Sequence, residues 1–207
     1  MQELELIEIL KGRLAKKRVQ HIINVADTAE KIAKDIYNEY QSINIRKAAM
    51  TERYLIKRVR QAALLHDFAK DLTIGELHNI SELMIDEWLI DDEELVIPQI
   101  LHAPVSAYLA KHELGIADYE VLEAIRFHTI GSPDMGKIAQ IIFIADFIEP
   151  NRDFAAAEEA RNEYQKNGLE SVIIMICDYN IKYNIDRGKQ VHPNTVILRN
   201  AYLRRQN

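Results

Sequence analysis

The 207-residue chain carries 26 basic and 32 acidic side chains, a net charge of −6, with 48% hydrophobic and 28% charged residues. That balance describes a soluble globular chain with a sizeable core, not a disordered polymer, and argues against a nucleic-acid backbone as partner. A small phosphorylated ligand stays open, because bound cations can supply positive charge.

Seven glycines and five prolines favour helices over sheet, and the whole chain, residues 1–207, reads as one all-α domain without repeats or linkers. The lone Cys177 in "SVIIMICDY" has no intrachain partner, which points to a reducing cytoplasm. The first residues, "MQELELIEILKGRL", alternate acids with apolar residues, unlike a signal peptide. Gln140 and Asp146 interrupt the most apolar run, "IAQIIFIADFI", well short of the roughly 18 to 20 residues a membrane span needs.

In chain order, Val19, Ile22, Ala26, Ala29, Ala33 and Ile36 define an amphipathic helix over residues 16–40. Leu55, Val59, Ala62, His66 and Ala69 continue the pattern over 53–69. Thr73 opens a short helix as its N-cap. The next stretch breaks at Pro98, restarts near His102 and closes at Gly115. A helix runs from Asp118 to Gly131, and an apolar one from Lys137 is stopped by Pro150. Two further helices meet near Gly168, the second reaching about Arg187, and "HPNTVILRNAYLRR" forms the last. Tyr and Leu residues on the final helices suit either the core or a homodimer face.

Ionisable residues on apolar faces are the informative anomaly, since an unpaired buried charge costs several kcal/mol. His66 extends a core stripe with Asp67 beside it, and His128 falls in line with Val121 and Ile125. Asp146 follows Ile142 by one turn, and His21 lies among apolar neighbours. Converging imidazoles and carboxylates point to a transition-metal site, with manganese or zinc admissible from the ligand set. His78 sits on a polar helix and His192 before a proline, so neither joins them. Between His102 and His112 spacing leaves the choice open.

A histidine, a distant "HD" doublet and a late aspartate resemble the HD-domain metal-dependent phosphohydrolases. The blocks "LLHDFAKDLT", "LHAPVSAYLA", "AIRFHTIG", "IADFIEPNRDF" and "HPNTVILRNAYL" resemble one branch, the YqeK family of symmetrical bis(5′-nucleosyl)-tetraphosphatases, over residues 18–202. Two departures stand out: Ala103 replaces the glycine of the usual His-Gly-Pro block, and Ile22 replaces a serine commonly found after the first histidine.

The resemblance implies a helical HD bundle with two metal ions, iron favoured. One would be held by His21, His66, Asp67 and Asp146, the other by His102 and His128 with Asp67 bridging. It implies attack by metal-activated hydroxide on diadenosine tetraphosphate, giving two ADP. Beside those ligands, Lys70 is placed to reach a phosphate, Thr129 and Gly131 to approach it at a helix end, and Arg152 to fork it. Asp71 is placed to orient Lys70 or a ligand. A nucleotidase or phosphodiesterase acting on another nucleotide shares the same metal chemistry, whereas a purely structural helical protein leaves Asp146 and His128 unexplained.

Overall fold

The computed structural model describes residues 2–42, 52–88, 90 and 92–206, and among these it contains ten helices and no strand. They are α1 (Glu3–Arg13), α2 (Lys16–Ser42), α3 (Glu52–Leu65), α4 (Ile74–Trp88), α5 (Asp92–Val96), α6 (Pro98–His112), α7 (Tyr119–Phe127), α8 (Lys137–Ile148), α9 (Ala155–Ile185) and α10 (Pro193–Gln206). An all-α bundle is what the composition implied.

The central helix is α3, which contacts α2, α6, α7 and α8; α9 covers α8 and carries α10 on its other contacts. The apolar stripe of α2 from Val19 to Ile36 is buried against α3 and α8 as its spacing requires. Buried Arg58 of α3 pairs with Asp118, and buried Arg126 of α7 forms an ion pair with buried Glu94, tying α7 to α5.

Several boundaries follow local chemistry. The Asp118 carboxylate accepts from the backbone N–H groups of Glu120 and Val121, an N-cap. The Thr73 hydroxyl accepts from Glu76 N–H while the Glu76 carboxylate accepts from Thr73 N–H, a reciprocal capping box that opens α4. Gly168 has a non-helical backbone (φ 77°, ψ −165°) inside α9, so the two helices expected there meet at this residue across a kink.

Three boundaries differ from the sequence reading. The α1 segment is helical and buries Leu6 and Leu10. The helix expected to begin near His102 starts at Pro98, where a missing N–H costs nothing, and it continues through Pro104. The helix expected to reach Ala69 stops at Leu65, because the chain tightens into successive turns, with Phe68 N–H donating to Leu65 O and Lys70 N–H to Asp67 O. The buried Ser106 hydroxyl of α6 accepts from Ala69 N–H and fastens this turn to the bundle. His66 and Asp67 therefore sit on a tight turn at the end of the central helix, where both side chains can face inward.

At the end of the chain, Leu198 and Tyr202 of α10 lie fully in the core, leaving only part of that helix for other contacts. No described helix is long and apolar enough to cross a membrane.

Candidate metal centre

Five segments converge beside the HD turn. α2 contributes His21, the turn contributes His66 and Asp67, α6 contributes His102, the end of α7 contributes His128, and α8 contributes Asp146. The four imidazoles form a chain of edge-to-face rings, with centroids 5.4 Å apart for His21–His66, 4.9 Å for His66–His128 and 5.0 Å for His102–His128. His66, Asp67, His102 and His128 are buried. Asp146, although its helix is almost wholly in the core, keeps 22% of its side chain exposed and lines a cleft. His112, the rival to His102, is exposed at the end of α6 and packs on Tyr108, so it is His102 that joins the cluster.

The outer ring nitrogens fix the orientation of every histidine. His66 Nδ1 donates to Ala63 O at 2.6 Å, His102 Nδ1 to Gln99 O at 2.9 Å, and His128 Nδ1 to Ile125 O at 2.8 Å. A carbonyl can only accept, so each Nδ1 carries the proton and each Nε2 turns a lone pair inward. His21 Nδ1 faces the buried Glu149 carboxylate at 3.2 Å, and Glu149 is itself held by Asn24 Nδ2 and Asn151 N–H. An outer acceptor on each imidazole is the arrangement that orients metal-ligating histidines.

The inner atoms are left wanting a cation. His66 Nε2 is buried without a hydrogen-bond partner, and His102 Nε2 and His128 Nε2 lie 3.1 Å apart with lone pairs facing. Burial pushes His66 down to about 4 and, with the Lys70 charge, His102 down to about 3, so neither relieves this by taking a proton near neutrality. Burial alone would push Asp67 up, but the surrounding imidazoles and Lys70 hold its carboxyl well below the usual range. Asp146 is likewise lowered, burial being outweighed by His21, His66 and Arg152. Burial pulls His21 down, yet the Asp146 carboxylate outweighs it and the net shift is upward. Mostly neutral imidazoles around ionised carboxylates are the protonation state that binds a divalent ion.

Asp67 stands between two histidine pairs. Its Oδ2 lies 3.9 Å from His21 Nε2 and 3.7 Å from His66 Nε2, while its Oδ1 lies 3.0 Å from His102 Nε2 and 3.6 Å from His128 Nε2. Asp146 Oδ1 adds to the first side, 3.0 Å from His21 Nε2 and 3.9 Å from His66 Nε2. The inward atoms of His21, His66 and Asp67 fall within 4.8 Å of one another, as do those of Asp67, His102 and His128, and those of His66, His128 and Asp146. The Lys70 ammonium is drawn to the second side, 3.0 Å from His102 Nε2 and 3.8 Å from Asp67 Oδ1. A cation of the chain thus already occupies the field that the carboxylates create, and the donor set fits a transition metal.

The resemblance extends over the whole chain. An HD-domain family model matches residues 18–180. The chain belongs to the HD-domain family. A protein of Halalkalibacterium halodurans named "Bis(5′-nucleosyl)-tetraphosphatase, symmetrical" is 34% identical over 97% of this chain and 96% of its own length. Its namesake in Bacillus subtilis is 30% identical over 97% of each. Among solved structures, a predicted HD superfamily hydrolase involved in NAD metabolism from Clostridium acetobutylicum superposes with a TM-score of 0.84 at 33% identity, covering 99% of this chain and 98% of that one. This is a metal-dependent HD phosphohydrolase, and it falls in the branch that the sequence blocks resembled.

The remaining expected site residues divide. Lys70 and Arg152 border the centre, Arg152 donating to the Asp146 carboxylate at 2.7 Å and to Asp146 O at 3.0 Å. Thr129 lines the adjoining cleft with its hydroxyl oxygen buried and unpartnered. Gly131 is in the lining of neither cleft beside the centre: its N–H donates to Phe127 O, and a Cβ there would clash with Leu198 Cδ2, so its bareness lets α10 approach. Asp71 touches neither Lys70 nor a ligand but accepts from Ala15 N–H and lies 3.4 Å from Arg18 Nε.

Two site residues escaped the sequence reading. Arg18 reaches Asp67 Oδ2 at 3.2 Å from one side, and Glu149 anchors His21 from behind. Their partners lie 49 and 128 residues away, and no local pattern announces such pairs.

Proposed function

We propose that this chain hydrolyses diadenosine tetraphosphate symmetrically, releasing two ADP, in a cytoplasmic setting and with two divalent transition-metal ions per chain. The observation that carries the reading is Asp67, whose two oxygens address separate histidine pairs within one buried cluster. His21, His66, Asp67 and Asp146 would hold one ion, and His102, His128 and Asp67 the other. We take iron as the preferred metal on the strength of the family resemblance, manganese or zinc being compatible with the same donors. When bound, such a pair supplies an activated water and positive charge for the phosphate oxygens.

The chain's own residues would place the substrate. Arg18 pairs with Asp67 and Arg152 with Asp146, and both line one cleft together with Lys17. Asp71, Glu149 and Asp153 line the same cleft, so its charges balance, and the two guanidiniums would grip a polyphosphate by charge-assisted hydrogen bonds. Lys70, displaced by like charge once cations fill the histidine side, would turn to a phosphate oxygen. A polyphosphate gripped at its middle presents an inner phosphorus, so the central bridge leaves and the halves are equal.

Hydrolysis of diadenosine tetraphosphate in 18O-labelled water, with products resolved by ion exchange, tests the reading. Two ADP, one of them carrying the label, are expected. ATP with AMP, or no turnover by metal-loaded protein, would overturn it and favour a nucleotidase or phosphodiesterase.

A further inference from the structure

A second cleft of about 590 Å³ opens on the metal centre from the α8–α9 side. Its lining includes His128 and Asp146 of the centre, the unpartnered Thr129 hydroxyl, and a row of rings contributed by Phe147, Phe154, Tyr179 and Tyr183. Phe154 and Tyr179 lie nearly parallel, at 19° with centroids 5.6 Å apart, and Tyr179 continues to Tyr183 at 5.8 Å. Phe147 closes the row edge-on against both Phe154 and Tyr179, at 5.3 Å in each case. Arg187 places its guanidinium 3.7 Å from the Tyr183 centroid.

This wall differs in kind from the cleft that Arg18 and Arg152 line. There Lys17, Arg18 and Arg152 face Asp71, Glu149 and Asp153, with Phe154 as the one side chain from the aromatic row. Arg152 and Phe154 border both clefts, so the two meet at the metal centre. A phosphate chain needs charge, whereas a purine needs flat apolar surface with a few polar groups at its edge. The rings supply the first of these, and Thr129 and Asn180 in the same lining supply the second. A volume of this size lies within the ordinary range for small-ligand sites.

We infer that the Phe154–Tyr179–Tyr183 wall is a nucleobase site, holding the base of one nucleoside diphosphate half while its phosphates reach the metal centre. The inference rests on the phosphohydrolase reading above for the nature of the ligand.

Calorimetric titration of the manganese-loaded protein with ADP and with inorganic pyrophosphate separates base from phosphate. Wild type should bind ADP more tightly than pyrophosphate. Tyr179→Ala should weaken ADP about 10- to 100-fold, the loss expected of one base-stacking partner, and leave pyrophosphate affinity and metal content unchanged. Exposed Tyr183→Ala, which removes no core side chain, should act in the same direction and serves if Tyr179→Ala does not fold. Equal affinity of wild type for the two probes, retained ADP affinity in both variants, or parallel loss of both probes would overturn the base site. If ADP preference persists and responds to Tyr179 while diadenosine tetraphosphate is not split into two ADP, the catalytic reading fails and the base site stands.

Discussion

Each imidazole of the cluster spends its Nδ1 proton on an outer acceptor, and this has a consequence for stability in the metal-free chain. His66 and His102, pushed down to about 4 and about 3, stay neutral when folded, whereas the unfolded chain protonates them near the ordinary value of 6.5. Unfolding then takes up two protons, so their contribution is full above about pH 6.5 and lost as pH falls toward the folded values. His21 acts oppositely: its raised pKa adds stability below 6.5 that disappears as pH rises through the folded value. Asp67 and Asp146, both lowered, keep their contributions until the pH falls below the ordinary carboxylate range. Two groups against one give a net loss on mild acidification. Urea unfolding of metal-free protein should show a lower midpoint at about pH 5 than at about pH 7; an equal or higher midpoint would contradict the assigned protonation states.

The same residues explain what could be seen in the sequence. His66, Asp67, His128 and Asp146 were legible because ionisable side chains interrupt apolar stripes, which is costly without compensation. His102 was not separable from His112 by periodicity, since both fall on a single helix and the backbone contact of His102 Nδ1 is invisible in spacing. Arg18 and Glu149 were hidden because their value lies in long-range pairs.

At the scale of elements, caps written in local chemistry were readable, and ends set by tertiary contacts were not. Thr73 and Asp118 announce α4 and α7 by side-chain type. The end of α3 at Leu65 depends on a turn fastened by Ser106, 37 residues downstream of its partner Ala69. Gly131 shows how a position can suggest one role and fill another. It ends the α7 segment at φ +69°, and the absence of a Cβ admits Leu198 of α10. Gly131→Ala combines a left-handed backbone cost of about 1–2 kcal/mol with overpacking of about 1–3 kcal/mol. For a chain of this size the thermal midpoint should fall by roughly 5–15 °C with metal content unchanged. Thermal denaturation followed by circular dichroism checks this. An unaltered midpoint accompanied by weaker phosphate binding would return Gly131 to the site.

Across the whole molecule, the cluster joins α2, the α3 turn, α6, the end of α7 and α8, elements distant in sequence that the core alone packs together. Ions bound only by the folded state add to stability by mass action, so metal held by this cluster would be at once the reactive centre and a tie between helices. In the proposed centre Asp67 would help to hold both ions, since its oxygens face separate histidine pairs. Metal content per chain, measured by plasma mass spectrometry after anaerobic purification with iron or manganese, tests it most directly. Two ions are expected in the wild type, about one in His102→Ala and essentially none in Asp67→Ala. A wild type that takes up a single ion, or an Asp67→Ala protein of native helix content that retains both, would contradict it.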